Sequence, residues 1–147
     1  TPGVVYEAME CLGGNGFIED CVLPRLYRQA PLNSIWEGSG NVQCLDVLRA
    51  MKREPDSVPA FFTELEYAKG ADSAYDAYVK ALQKDLGTAA KADALTQQLQ
   101  ARNLVERMAV ALQGSLLLRH GNEHVAKVFV ATRLRREWGS CLGTVPA

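Results

Sequence analysis

The sequence predicts an all-α protein, an antiparallel helical bundle with additional helices toward its C-terminal end. Apolar residues recur at three- and four-residue spacing through most of the chain. No stretch alternates polar and apolar as a half-buried strand would. Glycine and proline fall between the periodic stretches, where short helix connections need them.

A first helix covers roughly Val4–Leu12, with Tyr6, Met9 and Leu12 at helical spacing, and stops at Gly13-Gly14-Asn15-Gly16. Pro24, Pro31, Gly38 and Gly40 punctuate the segment Phe17–Gly40, which reads as irregular and is long for a structureless loop. A second helix runs about Asn41–Arg53 with Cys44, Leu45, Leu48 and Met51 as its apolar stripe, capped by Ser39 or Asn41. Glu54–Pro59 reads as a boundary. Ser57 is the expected cap of a third helix over about Val58–Lys69, which buries Phe61, Phe62 and Leu65 and ends at Gly70. Asp72 or Ser73 opens a fourth, with Tyr75, Val79, Leu82 and Leu86 on one side, broken at Gly87-Thr88. The fifth is the longest, roughly Ala89–Arg119, with Leu95, Leu99, Val105, Met108, Leu112 and Leu116 as its stripe. Gly121-Asn122 interrupts it. A sixth then reaches about Glu137 on Val125, Val128, Phe129 and Thr132. The expected organisation is residues 1–53 as one part and 54–147 as a helical extension.

The chain has 147 residues, enough for a real core, and a formal net charge of −1, which argues against polyanion binding by the chain as a whole. The charge is uneven. Residues 101–147 carry Arg102, Arg107, Arg119, Lys127, Arg133, Arg135 and Arg136 against Glu106, Glu123 and Glu137. Cys11, Cys21, Cys44 and Cys141 form no CxxC pair and read as free, mostly buried thiols of a reducing compartment. No apolar run is long enough to cross a membrane and no signal-peptide pattern is visible, so a cytoplasmic protein is expected. The chain opens at Thr1 without methionine, in what already reads as helix, as the C-terminal part of a longer protein would.

The motif richest in chemistry is Asn33-Ser34-Ile35-Trp36-Glu37-Gly38-Ser39-Gly40-Asn41. A carboxylate becomes a strong base near neutral pH only where water is kept from it. Trp36 offers an apolar wall, and Gly38 lets the backbone come close to a ligand. The plainer reading is a solvated loop glutamate. Gly13-Gly14-Asn15-Gly16-Phe17 is not a dinucleotide fingerprint, which needs a strand before it and a helix after it. It is either a helix stop with a tight turn or a set of backbone N–H groups approaching a phosphate or ribose. His120 and His124 lie four apart, but Gly121-Asn122 falls between them and no third ligand matches, so no metal is expected. Arg133, Arg135 and Arg136 form either a solvated face at a helix end or a phosphate contact.

A GGxGF turn followed about twenty residues later by an aromatic-Glu-Gly-Ser segment entering a helix resembles the C-terminal pattern of the FAD-dependent acyl-CoA dehydrogenases, over about residues 1–53. The run Leu23-Pro24-Arg25-Leu26-Tyr27-Arg28 through Asn33–Asn41 is more narrowly similar to the adaptive alkylation-response branch, the AidB-like proteins. Residues 54–147 are consistent with that branch's helical extension, partly on the closing Trp138-Gly139…Gly143-Thr144-Val145-Pro146.

The resemblance implies Glu37 as the catalytic base for α,β-dehydrogenation of an acyl-CoA thioester. It implies Gly13, Gly14 and Gly16 as the turn approaching the FAD of a neighbouring subunit, with Ser39 and Asn41 as further FAD contacts. A shared flavin site implies a homo-oligomer, commonly a tetramer. Glu10 stands where many members have glutamine, and an ionised carboxylate cannot donate a hydrogen bond. Trp36 and Ser39 replace a common tyrosine and threonine. The alkylation-response branch implies a second function, with little dehydrogenase activity and double-stranded DNA bound through a basic face, here Arg133, Arg135 and Arg136.

Overall fold

A computed structural model describes residues 1–136, and every regular element among them is helical. The order is α1 (Pro2–Leu12), α2 (Gly14–Phe17), α3 (Leu23–Gln29), a 3-10 turn (Ala30–Ser34), α4 (Gly40–Arg53), α5 (Ser57–Glu66), α6 (Ser73–Ala89), α7 (Ala94–His120), α8 (Glu123–Phe129) and a π turn (Val130–Leu134). Trp138, the closing glycines and Cys141 lie outside the described residues. Among these, no helix is long and apolar enough to cross a membrane. The described residues form two compact units, 1–40 and 41–136.

The first unit departs from expectation. Most of the segment read as irregular is helical, because Pro24 and Pro31 each fall in a first turn, where a missing N–H costs nothing. Gly13 ends α1 at φ +57° and ψ −139°, a conformation a side chain would strain. Gly16 is needed for a different reason. A Cβ there would lie 2.5 Å from the Met9 carbonyl oxygen and 3.1 Å from Leu12 Cβ, so only glycine lets α2 fold back onto α1. Gly14 meets neither constraint, since a Cβ built on it finds nothing within 4 Å. Tyr6 and Tyr27 join α1 to α3 with ring centroids 6.5 Å apart. Arg28 holds Glu19 through both carboxylate oxygens, at 2.7 and 3.1 Å. So small a unit buries little: α1 has no buried residue, and Phe17, Ile35 and Trp36 are exposed.

The second unit is built on the antiparallel pair α6 and α7. Asp72 caps α6 by accepting from the N–H groups of Ala74 and Tyr75, and Asp93 caps α7 through the N–H of Thr96. The break between them falls at residues 90–93. It does not fall at Gly87-Thr88, which α6 runs through. One glycine is a modest propensity cost that tertiary packing overrides. The Gln97 amide then ties the turn, donating to the carbonyls of Ala89, Ala90 and Ala92.

The buried face of α7 follows the expected stripe only in part, for Met108 and Leu112 pack against the core but the fully buried residues are others. These are Ala101, Leu104, Ala111, Gly114 and Ser115, while Leu95 and Leu99 are 66% and 76% exposed. Small residues let α6 approach closely. Gly114 faces Tyr75 and Leu134 so tightly that a Cβ would sit 3.4 and 3.3 Å from them. The core gathers Leu65, Leu82, Leu86 and Leu104, with Met51, Phe61, Phe62 and Met108 against it. A second cluster joins Ala68, Tyr75, Val130 and Leu134. In α8 and the π turn the buried side chains are Ala126, Val130 and Leu134, the last two packed with Ala68 and Tyr75, whereas Val125 and Val128 are exposed. Ser57 opens α5 as its first residue and not its cap, and the preceding Asp56 makes no side-chain cap bond. Cys44 is buried, but Cys21 is only half-buried and Cys11 is exposed, so the expectation of mostly buried thiols fails for the first unit.

Tyr75 is the hinge of this packing. It is 1% exposed, and its hydroxyl donates to the Leu65 carbonyl at 2.9 Å, tying the end of α5 to α6. Burial pushes its phenol pKa up. The Ser115 hydroxyl beside it is fully buried and lacks an aligned partner. Tyr75→Phe is therefore expected to cost about 1 kcal/mol or more in chemical denaturation, because it removes the hydrogen bond to the Leu65 carbonyl, whereas Ser115→Ala is expected to be neutral or stabilising. In the first unit, Gly16→Ala is expected to cost about 1–3 kcal/mol by overpacking, and Gly14→Ala to hold or raise the melting temperature.

Candidate functional site

Glu37 follows the 3-10 turn, which packs against α1, so the glutamate loop and the glycine turn at the end of α1 belong to the same unit. Ile35 and Trp36 donate their N–H groups to the Leu32 carbonyl at 2.9 and 3.2 Å, closing the 3-10 turn. The chain then reverses its backbone hand. Glu37 sits at φ +61° and Gly38 at φ +113°. For glycine this costs nothing. For a glutamate the left-handed region costs of the order of 1 kcal/mol, and such strain collects where a side chain must be aimed. Glu37 is exposed and Trp36 is 58% exposed, so the apolar wall expected of Trp36 does not by itself keep water from the carboxylate.

The glycines of the turn divide by cause. Gly13 serves the backbone conformation and Gly16 the approach of α2 to α1. Both follow from the helix-stop reading. Gly14 is the one whose missing side chain has no internal reason, and a ligand approaching the turn would meet it. Within α1, Tyr6 donates to the Glu10 carboxylate at 3.0 Å. That hydrogen bond, with the carboxylate's charge, raises the Tyr6 phenol pKa. Glu10 is thus an acceptor here, as its chemistry requires.

Ser39 precedes α4 and is exposed. Asn41 lies in the first turn of α4, in the second unit, and so cannot be its cap. Its side-chain oxygen accepts from Arg102 Nη1 at 3.3 Å. Nothing in the sequence pointed to Arg102 in this role. The two residues are 61 positions apart, and neither periodicity nor a motif links them.

The basic end of the chain is less available than its composition implied. Arg107 pairs with Asp85 at 2.5 Å, Arg119 with Glu64 at 2.5 Å and Lys127 with Glu123 at 2.6 Å. Arg107 and Arg119 also lie over the rings of Tyr78 and Tyr67. Arg133 lies in the π turn, and Arg135 and Arg136 follow it. Arg133, Arg135 and Arg136 are all exposed, with Arg136 at φ +61°. His120 ends α7 and His124 stands in the first turn of α8, so the pair shares no continuous helix.

Comparison with known proteins bears on the same segment. Residues 3–52 match the family model for the acyl-CoA dehydrogenase C-terminal domain. The chain is 49% identical over 82 residues, 56% of its own length and 15% of the relative's, to a protein of Escherichia coli (strain K12) described as "Putative acyl-CoA dehydrogenase AidB". It is 35% identical over 123 residues, 84% of its own length and 19% of the relative's, to "Acyl-CoA dehydrogenase family member 11" of Caenorhabditis elegans. The chain spans less than a fifth of the length of these curated relatives. A match over 123 residues of 147 runs past residue 52 into the helices that follow. Residues 3–52, which hold the glycine turn, the Glu37 loop and nearly all of α4, thus match an acyl-CoA dehydrogenase C-terminal domain, and the chain is similar to an AidB relative.

Proposed function

We propose that this chain supplies the catalytic-base loop and a flavin-facing edge of an FAD-dependent acyl-CoA dehydrogenase, with Glu37 as the base. The observation that carries the reading is the left-handed backbone at Glu37 ahead of Gly38, strain that aims one carboxylate and that a plain solvated loop does not need. Glu37 would take the proton from the carbon α to the thioester carbonyl. FAD, when bound, would supply the acceptor for the hydride leaving the β carbon. Because Glu37 is exposed in this chain, the bound thioester and neighbouring protein would provide the water exclusion that raises its basicity.

The donor set fits a flavin nucleotide. In the first unit Gly14 leaves open space beside the turn and the exposed Ser39 hydroxyl can donate; separately, in the second, Asn41 has an amide that can donate while its oxygen accepts from Arg102. These groups suit the acceptor-rich pyrophosphate and flavin edge. The exposed Phe17, Ile35 and Trp36 support a homo-oligomer, in which a neighbouring subunit covers them and shares the flavin, most simply a tetramer. In the flavin-loaded protein that contains this segment, Glu37→Gln is expected to abolish acyl-CoA-driven bleaching of the flavin band while flavin content stays at the wild-type level. Retained bleaching would remove Glu37 from the chemistry.

A second reading is a double-stranded DNA contact through Arg133, Arg135 and Arg136, favoured by their clustering at the end of the π turn. Reversing all three to glutamate is expected to weaken DNA binding and to flatten its salt dependence by about one unit of slope for each phosphate no longer neutralised. An unchanged slope measured by fluorescence anisotropy would leave these arginines as a solvated helix end.

A further inference from the structure

The second unit holds open a cavity of about 540 Å³ between α4, α5, α6 and α7, a size typical of small-ligand sites. Its walls include Met51, Phe62, Leu86 and Leu104. Among the described residues, three polar side chains line it: Lys52, Gln83 and Gln97. The Gln97 amide N–H is spent on the carbonyls of Ala89, Ala90 and Ala92. Water needs two or more polar partners to settle in such a space, and these walls offer few. Among the described residues, Lys52, in the last turn of α4, is the one charged group on the lining.

Gly87 gives an independent indication. It lines the cavity from within α6, where glycine is a poor helix residue. Its backbone is not left-handed, and a Cβ built on it meets nothing within 4 Å. Neither conformation nor a close neighbour requires glycine there, in contrast to Gly114. What the missing side chain does is leave the wall of the cavity open.

We propose that this cavity binds a single-chain amphiphile with an anionic head, a long-chain carboxylate, its alkyl chain along Met51, Phe62 and Leu104 and its carboxylate at Lys52. A positive rim over an apolar interior is complementary to that class, whereas a neutral side chain of a protein partner would leave Lys52 without a role. The site uses none of the residues of the Glu37 loop or the glycine turn, so it stands or falls apart from the dehydrogenase reading.

The test is calorimetric titration of the full chain with dodecanoate below its micelle concentration, with dodecyltrimethylammonium as the matched cation. Saturable, stoichiometric uptake of dodecanoate is expected, with much weaker uptake of the cation. Gly87→Leu is expected to lower dodecanoate affinity about tenfold or more by filling the cavity, while keeping or raising the melting temperature, since its side chain enters open space. Lys52→Glu, at the exposed rim, is expected to lower carboxylate affinity and to reverse the preference toward the cation. Absence of saturable dodecanoate binding, or binding untouched by Gly87→Leu, would overturn the proposal. Equal uptake of the two amphiphiles would overturn the assignment of an anionic head.

Discussion

The close approach of Tyr75 to the small-residue face of α7 is the constraint on which the second unit depends. Gly114 and Ser115 leave the space, and the Tyr75 ring fills it. The same phenol reaches the Leu65 carbonyl at the end of α5, and Leu134 of the π turn closes over Gly114. One aromatic side chain thereby joins four elements of the chain. Interiors are packed too densely for such a junction to move without cost. The positions of α5, α6, α7 and the π turn are consequently fixed together, and the cavity beside Gly87 persists because its walls are anchored by that core.

The first unit obeys a different logic. It has too few residues to build a core, and its helices are held by short-range devices: a glycine that permits α2 to touch α1, two prolines in first turns, and an exposed arginine–glutamate pair. Within this lightly buried frame the backbone at Glu37 is strained. Local strain survives only where the surroundings over-determine it. Here the 3-10 turn before Glu37 and the glycine after it supply the determination. The exposed aromatic and aliphatic side chains around it are the surface on which a larger assembly would complete the site.

The fold class was legible because periodicity at three and four residues is strong and strand patterns are absent. Caps at Asp72 and Gly13 as a helix stop were legible from residue type. The register of α7 was not. Its buried face is made mostly of alanine, glycine and serine, which carry little hydrophobic signal, while Leu95 and Leu99 point outward. The apolar spacing therefore located the core face only through Met108 and Leu112. The break at 90–93 was missed for a related reason, since Asp93 and Gln97 act through side-chain bonds that spacing does not reveal, and Gly87 looked like the obvious stop. At the candidate site, Glu37 and the glycine turn were readable as a paired motif. The division of labour among Gly13, Gly14 and Gly16 required coordinates, as did the Arg102–Asn41 bond. The pairing of Arg107, Arg119 and Lys127 with Asp85, Glu64 and Glu123 was not legible, because composition counts charges without their partners.

The central claim is that the strained carboxylate at Glu37 serves a dehydrogenation. Its most direct test is an anaerobic titration of the flavin-loaded protein containing this segment with straight and branched acyl-CoA thioesters, following the oxidised flavin band. The account predicts rapid bleaching by at least one ester. A bound flavin that no ester bleaches would contradict it.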